Sequence, residues 1–228
     1  MSCSPSDLAP ALAAPRLARL RAACADAGVD AFLVRDSSNV AWLTALDGVF
    51  DDEAAHALLV TSCDAVLHTD SRYAEAARVA AAREGAVAVD DSRSTHAAFA
   101  EATLRGDGDP SGEGTARYGS LGIEDSIALV EYRRLEAAFA GDGVRCELRE
   151  TSGFVRRLRA VKEPSEIARL RAAQAVTDAA FAHIVGFMRP GLTEREVQIE
   201  LEDFMRRHGA EGLAFPSIVA AGANAASP

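Results

Sequence analysis

Residues 58–68 read LLVTSCDAVLH. Two short apolar runs, 58–60 and 66–68, flank the polar quartet Thr61-Ser62-Cys63-Asp64, and this pattern predicts a β-hairpin. A hairpin is antiparallel, whereas the segments around it alternate strand with helix, which favours parallel crossovers. The sheet they share is therefore expected to be mixed. Towards the N-terminus, residues 40–43 (VAWL) and 29–34 (VDAFLV) are short apolar runs read as buried strands. Before them Pro15 opens a helix with Leu17, Leu20 and Cys24 on one face, closed by Gly28.

Towards the C-terminus, Asp70-Ser71 is placed to cap a helix through Tyr73, Ala77 and Ala80. A strand at 87–89, a helix near 94–104, a strand at 121–123, a helix over 127–139 and a strand at 144–148 extend the alternation. Residues 106–117 (GDGDPSGEGTAR) have the composition of a surface loop. Around Thr151 the texture changes. Arg156, Arg157, Arg159 and Lys162, the only lysine, read as a solvated linker face and precede Pro164. A helix then presents Ile167, Leu170, Thr177, Phe181, Ile184 and Met188 on one side. Pro190-Gly191 breaks it, Thr193 and Glu196 form a capping box, and a second helix carries Val197, Leu201 and Phe204 on a buried stripe as far as His208 and Gly209. Residues 215–221 (FPSIVAA) read as a strand and 222–228 as a loop.

At roughly 150 residues per domain, 228 residues make about one and a half domains. The chain is 49% hydrophobic and 25% charged, which fits a globular protein. Its net charge of −10 argues against binding nucleic acid by phosphate neutralisation. Residues 1–150 carry 14 basic and 25 acidic groups and residues 151–228 carry 10 and 9, so two regions of different electrostatics follow. Cys3, Cys24, Cys63 and Cys146 show no metal-ligand spacing and fit free thiols in a reducing compartment. No basic leader precedes an apolar run, and no run approaches the ~20 residues of a membrane helix. The expectation is a soluble, cytoplasmic protein, binding neither nucleic acid nor membrane.

The familiar catalytic signatures are absent: no HExxH, Walker A loop or GxGxxG, and Tyr118-Gly119-Ser120-Leu121-Gly122 lacks the first glycine of a nucleophile elbow. His56, His68, His96, His183 and His208 do not cluster in sequence and read as structural or solvated. Asp51-Asp52-Glu53 reads as a solvated loop rather than a cation site.

Five ordered stretches carry a resemblance. They are Asn39-Val40-Ala41-Trp42-Leu43-Thr44; Asp70-Ser71-Arg72-Tyr73 with Glu75 and Ala77; and Arg159-Ala160-Val161-Lys162 with Glu166-Ile167. Pro190-Gly191-Leu192-Thr193-Glu194 and Phe215-Pro216-Ser217-Ile218-Val219 with Gly222 and Asn224 complete the set. Together they resemble the Xaa-Pro aminopeptidase, prolidase and creatinase family of M24 metallopeptidases, over roughly residues 16–228.

The resemblance implies an α/β fold. Residues 1–150 would form a creatinase-like mixed sheet with flanking helices, and 151–228 the start of an α+β pita-bread domain, incomplete as given. It implies a peptide substrate with proline at its second position, and a homodimer, a state common in the family that no pattern here derives. The cofactor implied is a pair of divalent metal ions, Mn²⁺, held by two Asp, one His and two Glu; a metal-bound hydroxide attacks the bond before proline. In the family all five ligands follow the loop that contains Asn224. No catalytic residue and no metal ligand is therefore assigned within these 228 residues, which by themselves are expected to bind no metal pair and to be inactive. Phe215 matches the aromatic lining the pocket for the substrate's N-terminal residue, while Asn224 reads as a turn former. A non-catalytic peptide-binding relative and a creatinase-like amidinohydrolase are the rival readings.

Overall fold

The computed structural model describes residues 11–51, 53–105, 118–140 and 146–226. The expected loop at 106–117, Cys3, Asp52, the first residues of the strand expected at 144–148 and the last two residues of the 222–228 loop lie outside them. The chain forms two compact units, Met1–Val161 and Lys162–Pro228. Residue 150 falls inside a strand of the first unit, which continues to Val161.

The first unit begins with α1 (Ala13–Ala27), which buries Leu17, Leu20 and Cys24 and ends where Gly28 turns left-handed at φ 67°. Strand β1 (Ala31–Val34) follows, then α2 (Ser37–Thr44), β2 (Ala57–Val60), β3 (Ala65–His68), α3 (Ala74–Glu84) and β4 (Ala88–Asp90). Helix α4 (His96–Arg105), β5 (Ser120–Glu124), α5 (Leu129–Phe139), β6 (Glu147–Thr151) and α6 (Phe154–Ala160) complete it. The strand order is β4-β3-β2-β1-β5-β6. Only β2 runs antiparallel to its neighbours, and β1·β5, β3·β4 and β5·β6 are parallel. The hairpin expected at 58–68 is thus what makes the sheet mixed, with Leu58 opposite Leu67 and Val60 opposite Ala65.

Side chains alternate between the two faces of a strand, and here each face is covered. Phe32 and Val34 join Leu17, Leu20, Trp42, Leu43, Leu58 and Val155 on one side. Ala31 and Leu33 join Phe99, Leu104, Leu121, Ile123, Leu135 and Phe139 on the other. Each fully buried Leu or Phe contributes about 1.5–3 kcal/mol relative to exposure, so these two layers are the main stabilising term of the unit. At Gly122 a Cβ would stand 2.5 Å from a ring carbon of Phe32, and the close approach explains glycine in a central strand.

Three expectations in this unit are corrected. Residues 40–43 form helix, not strand. The Asp36 side chain accepts the Asn39 amide at 2.9 Å and starts α2 as an N-cap. The helix buries Asn39, Val40, Trp42, Leu43 and Thr44, so its apolar run shows no helical period. Asp70 does not cap α3, whose N-cap position is Tyr73; instead Asp70 accepts the Arg72 amide and its carbonyl takes those of Tyr73 and Ala74, building the turn that leads into the helix. Arg159, expected on a solvated face, donates to the Asn39 side-chain oxygen at 2.6 Å.

The second unit contains α7 (Pro164–Phe187) and α8 (Glu194–Arg207), packed on each other, and a 3-10 turn at Gly222–Ala226. Pro164 occupies the first turn of α7, where its missing N–H costs nothing. The capping box expected at α8 is present: Thr193 Oγ1 accepts the Glu196 amide at 3.3 Å and Glu196 Oε2 accepts the Thr193 amide at 2.8 Å. Little of either helix's apolar stripe is buried. On α7 only Ala180 and Ile184 are, and on α8 none. Leu170, Phe181, Val185, Met188 and Ile199 stand more than half exposed. Residues 215–221 are not a strand, because among the described residues no strand pairs with them and a strand exists only through its ladder. No helix among the described residues is long and apolar enough to cross a membrane.

Candidate functional site

In the second unit, Phe215 lies in the irregular segment after α8 with 73% of its surface exposed. Asn224 holds the nearby turn: its amide donates to Ala221 O, and its side-chain Nδ2 donates to both carboxylate oxygens of Glu194 at 3.0 Å. The Ala221 amide donates to Glu194 at 2.7 Å. These donors, the Ala221 amide foremost, hold the Glu194 carboxyl below its ordinary range. His183 pairs with Glu200 at 2.6 Å and stacks on Phe204, whose ring stacks in turn on His208. His208 Nδ1 bonds the Phe204 carbonyl at the helix end, where the dipole favours a donor. His183 thus serves the packing of α7 on α8, and His208 closes the end of α8.

The histidines expected to be unrelated come together in the first unit. A cavity of about 550 Å³ opens at the C-terminal ends of β1, β3 and β4, lined by residues that follow those strands and by α4 and α5. His68 ends β3 and His96 starts α4, and their Nδ1 atoms lie 2.7 Å apart. His68 Nε2 lies 3.0 Å from the Arg93 carbonyl, an acceptor only, so that nitrogen carries the proton. In the neutral pair His68 Nδ1 is then the acceptor and His96 Nδ1 the donor, leaving His96 Nε2 with a bare lone pair. Burial, with Arg35 and the other two imidazoles nearby, lowers the His96 pKa to about 3. His56, 1% exposed, also titrates low because of burial, and its Nε2 has no hydrogen-bond partner.

Arg35 lines the same cavity with its side chain 7% exposed. Its Nε and Nη2 grip Glu131 at 3.0–3.2 Å, but its Nη1 is buried without an acceptor. The other lining carboxylates are also engaged, Asp70 by Arg72 at 2.8 Å and Asp91 by Arg78 at 2.6 Å. Arg134 projects from α5 with no acidic partner among the described residues. None of these residues was singled out as a ligand group from sequence. A usable signal was present: runs 29–34, 66–68 and 87–89 are followed directly by the polar or charged residues Arg35, Thr69 and Asp90, and ligands gather at the carboxyl ends of parallel strands.

Outside the lining of this cavity, Glu124 at the end of β5 is 5% exposed and accepts the amides of Arg35 and Asp36 at 2.7 Å each. It also accepts Asn39 Nδ2 at 2.6 Å. Burial raises its pKa, against the opposing effect of these donors. Asp51, expected in a solvated loop, accepts the Tyr73 hydroxyl at 2.6 Å, and Glu53 pairs with Arg72.

No group of three or more His, Cys, Asp or Glu among the described residues converges to hold a metal ion. These residues do not fit the seat of a metal pair.

Residues 16–161 match the model of the creatinase/prolidase N-terminal domain, and residues 168–228 that of metallopeptidase family M24. The chain is 29% identical to a Bacillus subtilis uncharacterized peptidase over 93% of its own length and 55% of that protein's. Its fold is similar to that of an Xaa-Pro dipeptidase from Bacillus anthracis, at TM-score 0.72 and 29% identity, covering 88% of this chain and 50% of that one. An X-Pro aminopeptidase from Thermotoga maritima superimposes at TM-score 0.66 and 25% identity, over 87% of this chain and 51% of that one. The chain thus spans about half the length of the relatives it matches.

Proposed function

The chain belongs to the M24 metallopeptidases that carry a creatinase/prolidase N-terminal domain, and on that premise we propose that the whole protein is a cytoplasmic Xaa-Pro dipeptidase or aminopeptidase. The observation that carries this reading is the similarity to the Bacillus anthracis Xaa-Pro dipeptidase, which runs through both units. In the proposed reaction the peptide bond before proline is hydrolysed, in a pita-bread domain, with chemistry supplied by two divalent ions, Mn²⁺ in our reading. Those ions would be held by residues other than the ones described here, and the 228 residues alone would show no turnover. Free thiols at Cys24, Cys63 and Cys146 support a reducing compartment. Phe215 is our candidate for lining the pocket of the substrate's N-terminal residue, supported by an aromatic surface left 73% exposed.

The test is turnover of Gly-Pro and Xaa-Pro-Yaa peptides by the complete gene product with Mn²⁺, beside the 228-residue chain as control. Hydrolysis by the complete product alone is expected, with Phe215→Ala raising KM more than it lowers kcat. Hydrolysis of creatine instead would move the reading to an amidinohydrolase. Metal bound without turnover of either substrate would leave a peptide-binding relative.

A further inference from the structure

We propose that the cavity between the carboxyl ends of β1, β3 and β4 and the helices α4 and α5 binds a small carboxylate that bears an N–H or O–H donor close to its acid group. The site lies wholly within the first unit and stands independently of the peptidase reading. Its volume of about 550 Å³ suits a small molecule.

The charge inventory of the lining selects an acid. Each of its three carboxylates is already held by an arginine: Glu131 by Arg35, Asp70 by Arg72 and Asp91 by Arg78. That leaves Arg93, before α4, and Arg134, on the helix α5 that faces the cavity, as lining cations with no acidic ion-pair partner among the described residues. Arg35 adds a nearly buried guanidinium to the same wall; its Nη1 has no acceptor and is closed off as the side chain stands, and a small turn of the side chain would bring that unpaired donor to a bound acid. The start of α4 lies in the same wall, where Thr95 caps the Ala98 amide at 3.1 Å and leaves the first-turn amides of His96 and Ala97 without helical acceptors. A guanidinium fork and helix N-terminal amides are both suited to a carboxylate.

The histidine pair supplies the second half of the specificity. In the neutral pair His96 Nε2 is an acceptor, its orientation set by the chain His96 Nδ1–H to His68 Nδ1 and His68 Nε2–H to the Arg93 carbonyl. His68 is further fixed by stacking on Phe99. A ligand that presents only acceptors would leave Nε2 unmatched. One with an amide N–H or a hydroxyl next to its carboxylate, as in an N-acylated amino acid or a hydroxy acid, satisfies both ends.

The experiment is an NMR titration of the ¹⁵N-labelled 228-residue chain with three probes: N-acetylglycine, which has acid and donor; N-acetylglycinamide, which lacks the acid; and acetate, which lacks the donor. N-acetylglycine is expected to produce saturable shifts confined to the residues after β1, β3 and β4 and the facing turns of α4 and α5. Acetate is expected to bind more weakly, and the amide not at all. Arg134→Ala changes an exposed helical residue and keeps the remaining spectrum, and it is expected to weaken N-acetylglycine by about tenfold, the worth of one charge-assisted hydrogen bond. No saturable shift up to the solubility of N-acetylglycine, equal binding of its amide, or unchanged affinity in Arg134→Ala would each overturn the proposal. Acetate binding as tightly as N-acetylglycine would overturn its donor half.

Discussion

The side-chain amide of Asn39, on α2, donates at 2.6 Å to the carboxylate of Glu124 at the end of β5, while Arg159 of α6 donates to the Asn39 oxygen, also at 2.6 Å. One asparagine thus joins a helix, a strand end and the last helix of the unit, with donor and acceptor both used. Asn39→Ala removes one donor from a buried carboxylate and one acceptor from Arg159, although the Arg35 and Asp36 amides still hold Glu124. The first unit is expected to lose about 2 kcal/mol, within the range for an unmade charged hydrogen bond. Urea unfolding followed by Trp42, the only tryptophan and a residue buried in this unit, reports the loss. A change below about 0.5 kcal/mol, the scale of an ordinary surface substitution, would refute the role assigned to Asn39.

Gly122 presses on Phe32, which stacks on Phe154 with ring centroids 5.0 Å apart. The atoms a new Cβ would meet belong to a rigid ring at 2.5 and 2.8 Å, not to a flexible chain end. Gly122→Ala is therefore expected to destabilise the unit by about 1–3 kcal/mol through overpacking. Phe32→Leu in the same chain removes the ring and should recover part of that loss. A double-mutant cycle with no coupling would show that the contact is not what constrains the glycine.

Much of this architecture is legible in the residues. The hairpin at 58–68, the cap at Gly28 and the capping box at Thr193 depend on local chemistry alone, and each stands where its pattern puts it. Residues 40–43 mislead because α2 is short and buried on most sides, so its VAWL run has the look of a core strand. The signal against it was Asp36, three residues before Asn39, a spacing that suits a cap. Residues 215–221 mislead for another reason: strand propensity describes a surface that fits a sheet, and it cannot supply the neighbour. The cavity was illegible because His68 and His96, 28 residues apart, meet only through the parallel pairing of β3 with β4.

That histidine pair makes the first unit sensitive to acid earlier than carboxylates would. The His96 pKa falls from 6.5 unfolded to about 3 folded, so between those values the unfolded chain binds the extra proton. Stability then falls as pH drops through 6.5 and levels off below 3, by at most about 1.4 kcal/mol per pH unit for one proton. His56 is displaced in the same direction. Glu124 acts oppositely: its raised pKa lets the folded state hold a proton first, so acidification between 4.5 and its folded value is stabilising. Comparison with His96→Asn cancels that contribution, because the Asn amide can replace the Nδ1–H donor and does not titrate. The Trp42-monitored stability of the variant is expected to be flatter between pH 6.5 and 4.5 than that of the parent. Parallel curves would mean that His96 keeps an ordinary pKa.

The second unit calls for a different probe, since Trp42 does not report on it. Helix α8 has no buried residue, so little tertiary packing supports it and its ends matter in proportion. Its first turn carries Glu194 and Glu196 and its last turn Arg206 and Arg207, both signs matched to the helix dipole. The Thr193 amide and hydroxyl, in that order, hold the Glu196 carboxyl below its ordinary range. Thr193→Ala removes the oxygen that accepts the Glu196 amide at 3.3 Å and is expected to cost about 1 kcal/mol. Faster hydrogen exchange across the first half of α8 would register it, with Thr193→Ser restoring most of the protection. Since α7 ends before the cap, its amides should keep their rates. If they accelerate equally, the two helices open as one cooperative piece, and the capping box stabilises the pair rather than the end of α8.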